Sequence, residues 1–265
     1  MAYFEYRNQP AKVLWLTYFL STTLLFQLPA WIFLSAVPAF RPRRSWGFLR
    51  TFTVHFIKAF ANEMPFKIGI QWAGGGSEKD SAHPEQTGFA WVNPVPESLV
   101  VGEINSVARH NDAAPARAPG YRYRAPNQRG KHDQPAQNGE RTTHHPHGGA
   151  HISGSADPKG FQVPTIRAIL ETSSTVVQRA FAVEYRLASS APFPAANPFL
   201  VALVDALSGY YYLVEDLGFK PENIIVAGDS SGGHLAVALT RYLVGAAISS
   251  LATPGALFLH SPAMD

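Results

Sequence analysis

The chain has 265 residues, with 22 Lys and Arg against 19 Asp and Glu, a formal charge of +3 and no cysteine. That length accommodates one large α/β domain or two small ones around a sizeable core. The missing cysteine excludes disulfides, thiolate metal sites and a cysteine nucleophile, and the scattered basic residues lack the aromatic interleaving of a nucleic-acid surface, so no nucleic-acid partner is expected.

From Val13 to Phe40 no residue is charged and Leu, Phe, Trp, Ile and Val dominate, more than the roughly 20 apolar residues that cross a bilayer core. The stretch reads as a membrane span, with Pro29 a candidate kink and Trp15, Tyr18 and Trp31 suited to the interfaces. A cleaved signal peptide ending near Val37-Pro38-Ala39 is the rival, although signal cores run only about 7–15 residues. A buried core helix is the third reading. Arg41, Arg43, Arg44 and Arg50 follow the span while Arg7 and Lys12 precede it, which by the positive-inside rule places the following domain in the cytosol.

Ser45 to Lys67 carries apolar residues at a spacing that suits an amphipathic helix. Phe66 to Trp72 and Phe89 to Val92 read as the strands of an opening hairpin, separated by the glycine-rich loop that begins at Gly74. A short helix is expected around Glu97 to Val107. Arg109 to Thr143, rich in Asn, Gln, Gly, Pro, Arg and His, reads as an irregular polar insertion. Beyond it the pattern alternates: helix from Gly160 to Leu170, buried strand from Ala180 to Tyr185, helix from Pro198 to Leu217, strand from Ile224 to Ala227, helix from Ser231 to Leu243 and strand from Ala256 to His260. Strands separated by helices imply a mainly parallel sheet with helices on both faces, an α/β fold.

Within that frame, Gly228-Asp229-Ser230-Ser231-Gly232-Gly233 presents a serine between strand and helix. In a nucleophile elbow the serine tops a strained turn, and Gly228 and Gly232 let strand and helix approach. Ser230 is therefore the candidate nucleophile. Upstream, His147-Gly148-Gly149-Ala150-His151 is a small-residue turn whose backbone could approach a developing oxyanion, with Gly149 and Ala150 as donors and Ser231, just after the nucleophile, as the third. His144, His145, His147 and His151 crowd this region, but they lack the spacing of a helical metal motif, and neither metal nor cofactor is expected.

These motifs resemble the hormone-sensitive-lipase-like branch of the α/β-hydrolases. The likeness lies in His147-Gly148-Gly149-Ala150, in Val183-Glu184-Tyr185-Arg186-Leu187-Ala188 followed by Pro192-Phe193-Pro194-Ala195-Ala196, and in the six residues from Gly228 to Gly233. It implies an α/β-hydrolase-like fold over 45–265, behind an anchor over 1–44 similar to that of microsomal deacetylase and fungal sterol-esterase relatives. It also implies a serine esterase, lipase or deacetylase of a small-molecule or lipid ester, bound to a membrane by one span, as in the endoplasmic reticulum. The side of the membrane stays open, since the related microsomal enzymes face the lumen while the arginine count favours the cytosol. The oligomeric state is left open. In that family the His-Gly-Gly segment builds the oxyanion hole and the central serine attacks the ester.

Two departures shape the expectation. The run Glu140 to Pro146, where the family has a buried strand, is polar and contains a proline, so a malformed strand is expected. The family's acid and histidine also lie beyond Asp265, since the family places them after later strands, so the chain reads as C-terminally truncated. The nucleophile is present without its proton-transfer partners, and an impaired esterase or, alternatively, an inactive membrane-bound binding module is expected. Among substitutes, His234 lies within a turn of Ser230, His260 ends a strand and Asp265 ends the chain, while Asp205 and Glu184 read as structural.

Overall fold

The computed structural model describes residues 5–68, 78–111, 113–126, 130–160, 162–190 and 193–264, in two compact units, Met1–Gln71 and Trp72–Asp265.

In the first unit a continuous helix comprises α1 (Ala11–Thr22), a π-helical turn at Thr23–Gln27 and α2 (Leu28–Ala36). Pro29 has no N–H to bond the carbonyl four residues back, and the widened turn beside it accommodates that loss in an unbroken helix. The helix is long and apolar enough to cross a membrane, with mean hydropathy 1.5, and only 22% of that window is buried. Leu14, Leu24 and Phe26 are exposed. Arg41 donates to the Ser35, Ala36 and Trp46 carbonyls, satisfying acceptors that a helix end leaves open.

α3 (Phe48–Ile68) folds back on this helix. Trp15 stacks on Phe19, Phe60 meets Phe19 edge-on, Phe56 meets Trp31 edge-on, and Ile68 is buried in the same cluster. The strand expected from Phe66 is therefore not formed at 66–68. The four-residue recurrence of Phe56, Phe60, Met64 and Ile68 carries a helical apolar stripe through to the end of α3. Residues 69–72 of that expected strand, and the loop at Gly74, lie outside the described residues. The amphipathic segment falls in the first compact unit instead of with the domain expected over 45–265.

The second unit opens with two single turns, α4 (Glu78–Ser81) and α5 (Pro84–Thr87), and continues as β1 (Phe89–Val92), α6 (Gly102–His110), β2 (Ala118–Arg124), β3 (Thr142–His144), α7 (Val163–Thr172), β4 (Arg179–Val183), α8 (Phe199–Tyr211), β5 (Ile224–Asp229), α9 (Ser231–Ala246) and β6 (Ala256–His260). The six strands lie in the order β1-β2-β4-β3-β5-β6. β4, β3, β5 and β6 are parallel, whereas β2 is antiparallel to both β1 and β4. The sheet is thus mixed, with four of its six strands in the parallel arrangement expected from the sequence and β1 and β2 added as an antiparallel edge.

Alternation along β4 divides the core. Ala180 and Ala182 face Tyr121, Tyr123, Val163, Ile166 and Leu170, beneath α7. Phe181 and Val183 face Leu207, Leu235 and Leu239 of α8 and α9 on the other side. Helices therefore cover both faces, each fully buried Leu or Ile contributing about 1.5–3 kcal/mol of burial free energy.

Two expectations for the polar middle of the chain need correction. The supposed irregular insertion at 109–143 contains β2, the true partner of β1, with Phe89 opposite Tyr121 and Val92 opposite Ala118. Tyr121 and Tyr123 alternate inward while Arg122 and Arg124 are only partly buried, and that period-two pattern supplies the buried face. The strand before the oxyanion motif is also well formed. β3 sits between β4 and β5 with all three residues buried. Two of its polar groups find partners: the Thr142 hydroxyl donates to Arg179 O at 3.1 Å, and His144 Nε2 donates to Ala206 O at 2.9 Å. Pro146 lies past the strand end, so its missing N–H removes no ladder bond.

Candidate active site

β5 delivers the chain to Ser230, which adopts φ +50° and ψ −122°, and α9 begins at the next residue. A positive φ is strained for a serine and persists only where the surroundings impose it. Here they do: the Ser230 N–H donates to His260 O at 3.2 Å, and the Ser230 carbonyl accepts from Ala263 and His234 N–H at 2.9 and 3.2 Å. Gly232 lies so close to the Pro146 and His147 backbone that a Cβ there would collide with it, and a Cβ on Gly228 would meet Gly232 and Gly233. The glycines thus let the strand, the helix and the 146–147 backbone pass at contact distance.

The second part of the site follows β3. The His147 ring stacks on Tyr185 with centroids 4.1 Å apart, and the Tyr185 hydroxyl donates to His147 O at 2.7 Å. His147 Nδ1 donates to Gly148 O at 2.8 Å, and Gln162 Nε2 donates to the same carbonyl at 3.0 Å. Because a carbonyl only accepts, the Nδ1 proton is fixed. Burial is the main cause that lowers the His147 pKa to about 4, so the ring is neutral and serves the loop's shape. The turn then passes through Gly149 at φ +125°, Ala150 at +55° and His151 at +61°. Downstream, Glu184 accepts from the Ser155 hydroxyl and Ala156 N–H at 2.8 and 2.5 Å.

Loop and turn are joined directly. The Gly148 N–H donates to Asp229 Oδ1 at 3.2 Å, and His145 Nε2 lies 3.6 Å from the same oxygen. Burial alone would raise Asp229, but the interaction with His145 and the N–H donor outweigh it and hold the carboxylate below its ordinary range. A few ångströms on, His151 Nε2 and His234 Nδ1 approach to 3.4 Å, with His234 stacked on Phe199. Burial, then the neighbouring His234 and His147, lower His151 to about 4.

Three backbone donors are left over. Among the described residues, the N–H groups of Gly149, Ala150 and Ser231 make no hydrogen bond to backbone or side chain. Preorganised N–H groups without an internal acceptor, on a loop bound to a serine turn, are what a negative oxygen at an acyl carbon requires.

The structure does not bring the proposed substitutes for a catalytic base to the serine. Among the described residues no imidazole lies within hydrogen-bond distance of Ser230 Oγ. His234 is engaged with His151, His260 meets Ser230 through its backbone carbonyl, and Asp265 lies outside the described residues. Asp205 is buried beneath Arg186, accepting its N–H at 2.8 Å and its guanidinium at 2.8–3.2 Å. Burial raises the Asp205 pKa and Arg186 draws it part of the way back. Among the described residues no three His, Asp or Glu side chains are grouped to hold a metal ion. Three contributors escaped the sequence reading. Tyr185 stood in a quoted motif without an assigned part, while Gln162 and the bond from Gly148 to Asp229 left no sequence signal.

Residues 144–265 match the family described as alpha/beta hydrolase fold, a segment just under half the chain that contains Ser230 and the His147 loop. An esterase of Acinetobacter venetianus is 34% identical over 122 residues, 46% of this chain and 35% of that protein. Esterase LipU of Mycobacterium tuberculosis is 34% identical over 109 residues, 41% of this chain and 32% of that one. The chain thus spans about a third of the length of these curated relatives. Among solved structures, esterase LipW of Mycobacterium marinum superimposes with a TM-score of 0.43 at 23% identity, covering 71% of this chain and 47% of that one.

Proposed function

We propose that the α/β-hydrolase segment over residues 144–265 is the nucleophile half of a carboxylic-ester hydrolase. Ser230 Oγ attacks the ester carbonyl carbon, and the N–H groups of Gly149, Ala150 and Ser231 stabilise the oxyanion that forms. Collapse of that intermediate breaks the bond to the alcohol and leaves an acyl-Ser230, which water then hydrolyses. The observation that carries this reading is the coincidence of the three unpaired N–H groups with the three positions marked by the sequence motifs. The two curated esterases, matching over the same segment, support the choice of esters.

The serine's proton must go to a base as the bond forms, with an acid holding that base in the right tautomer. The resemblance assigns this pair to segments that follow the family's sixth strand, and among the described residues none stands beside Ser230 Oγ. Gly148, Asp229 and His147 position the loop, and Gly228, Gly232 and Gly233 allow the turn.

The apolar helix Ala11–Ala36 makes a membrane-bound enzyme the favoured form, because a core helix of a water-soluble protein is mostly buried and this one is 22% buried. A single span of this kind, in the endoplasmic reticulum as the resemblance implies, favours lipid esters or apolar alcohols as substrates.

The test is labelling with a fluorophosphonate probe, applied both to the chain as given and to the product of the reading frame extended downstream. The expected result is a phosphonyl adduct on Ser230 in the extended protein, far slower labelling of the shorter chain, and none in Ser230→Ala. Absence of an adduct on Ser230 in an extended protein that is folded would overturn the reading.

A further inference from the structure

The parallel strands β3, β4 and β5 all direct their C-terminal ends toward the Ser230 side of the sheet. At the other end, where β3 and β4 begin and β2 finishes with Arg124 opposite Arg179, lies a cavity of about 290 Å³ lined by Arg124, Gln137, Asn138, Glu140, Gln178 and Arg179. That volume is at the lower limit of small-molecule sites. Much of its wall comes from the polar segment 109–143, whose composition the ester-hydrolase reading leaves unexplained.

The one carboxylate of this cavity is already in use. Glu140 takes the Arg179 Nε and Nη2 donors at 2.8 Å each, and its Oε2 also takes the Gln137 N–H at 2.9 Å. Arg179 Nη1 is held by Gln134 O, and Gln178 Oε1 accepts from the Arg141 N–H at 3.4 Å. The donors are not all used. Arg124 places Nη2 on Lys131 O, but its Nε is buried and has no acceptor among the described residues. That Nε is closed to solvent, so the guanidinium nitrogen left for a ligand is Nη1, which has no acceptor among the described residues. The charge is uneven as well: the cavity wall holds two guanidinium groups and one carboxylate, and that carboxylate is committed to Arg179. Burial and the adjacent Arg179 pull the Arg124 pKa below its ordinary value, as befits a cation short of counter-charge.

We propose that this cavity is a binding site for a small oxyanion, a carboxylate or a phosphate, with Arg124 as its charged anchor and the side-chain amides of Gln137, Asn138 and Gln178 as neutral donors around it. Nη1 of Arg124 offers such an anion a charge-assisted N–H. The site lies at the opposite end of the strands from Ser230 and does not depend on the ester-hydrolase reading.

The test titrates the full chain in detergent with inorganic phosphate and, separately, with succinate, against sodium chloride of equal ionic strength, reading the thermal midpoint and the heat of binding. Saturable binding of either anion is expected, and which one saturates identifies the group the site prefers. Arg124→Gln should weaken that binding at least tenfold, and Asn138→Asp, which places a carboxylate in the wall without touching Arg124, should abolish it while the circular dichroism is unchanged. Arg109→Gln, on α6, should leave it as in the parent chain. If neither anion acts beyond sodium chloride, or if Asn138→Asp binds as well as the parent, the proposal is wrong.

Discussion

The turn at Ser230 and the loop from His147 to His151 lie against each other, yet their shapes have different sources. The turn owes most to its own sequence, a β-branched strand, a helix starting one residue later and glycines at close backbone approaches, with His260 and Ala263 as its partners from outside. The loop has only two glycines of its own and is held by side chains from elsewhere, Tyr185 from beyond β4, Gln162 from the N-terminus of α7 and Asp229 from β5. A local device tolerates change in its surroundings but not in its own backbone. A tertiary device fails gradually, one partner at a time.

The largest effect should therefore come from the turn. In Gly232→Ala the new methyl would overlap the Pro146 and His147 backbone, which the Tyr185 hydroxyl holds at His147 O. We expect a loss of about 3 kcal/mol or more in urea unfolding of the full chain, because the loop backbone packs on the turn at this point. A soluble variant within about 1 kcal/mol of the parent would show that the turn is not set by close approach.

Acid should act next, through the loop side. His144 and His147 are buried, and burial lowers both to about 4 from an ordinary value of about 6.5. Between these values the unfolded chain binds protons that the folded chain refuses, so stability rises with pH in that window. The contribution is complete above about pH 6.5 and declines as pH falls toward 4, by on the order of 3 kcal/mol for each ring. Urea midpoints measured from pH 7.5 to 4.5 should show this fall, and His144→Asn should reduce the slope by about one proton. A slope unchanged in that variant would place the acid sensitivity elsewhere.

Tyr185→Phe isolates one link of the loop. The ring and its stacking on His147 remain, but the 2.7 Å bond to His147 O is lost, leaving a buried carbonyl without that donor. A loss of about 1–3 kcal/mol is expected, with faster amide hydrogen exchange at 147–153 and no change at 231–239. Faster exchange at both would mean that the loop and the turn open as one unit.

That asymmetry also decides what could be read from the sequence. Ser230, its glycines and the order of the later strands were legible because each is a local pattern: a β-branched run, a small-residue turn, a helical period. β2 was not, because Tyr121 and Tyr123 alternate within a 35-residue stretch whose average composition is polar, and the average hides a seven-residue strand. β3 was misjudged for a different reason. Its Thr and His side chains are acceptable in the core only because Arg179 O and Ala206 O, 37 and 62 residues away, accept their protons. The strand expected at Phe66 was a helix since Phe and Ile suit both periods, and packing on Trp15 and Phe19 settles which one wins.

The smallest effect should be a gain. Ala150 holds φ +55° in the middle of the loop, followed by His151 at +61°, so two consecutive residues with a Cβ occupy the left-handed region that glycine enters freely. Ala150→Gly removes one of these strains but also loosens the unfolded chain, and the two contributions partly offset each other. A net stabilisation of up to about 1 kcal/mol is expected, visible as a small rise in the urea midpoint. In the extended protein the rate of fluorophosphonate labelling at Ser230 should hold steady, because glycine supplies the same N–H at the same place. If the variant is less stable and labels more slowly, the methyl group of Ala150 is itself part of what fixes the loop, and the loop is more local in origin than its long-range partners indicate.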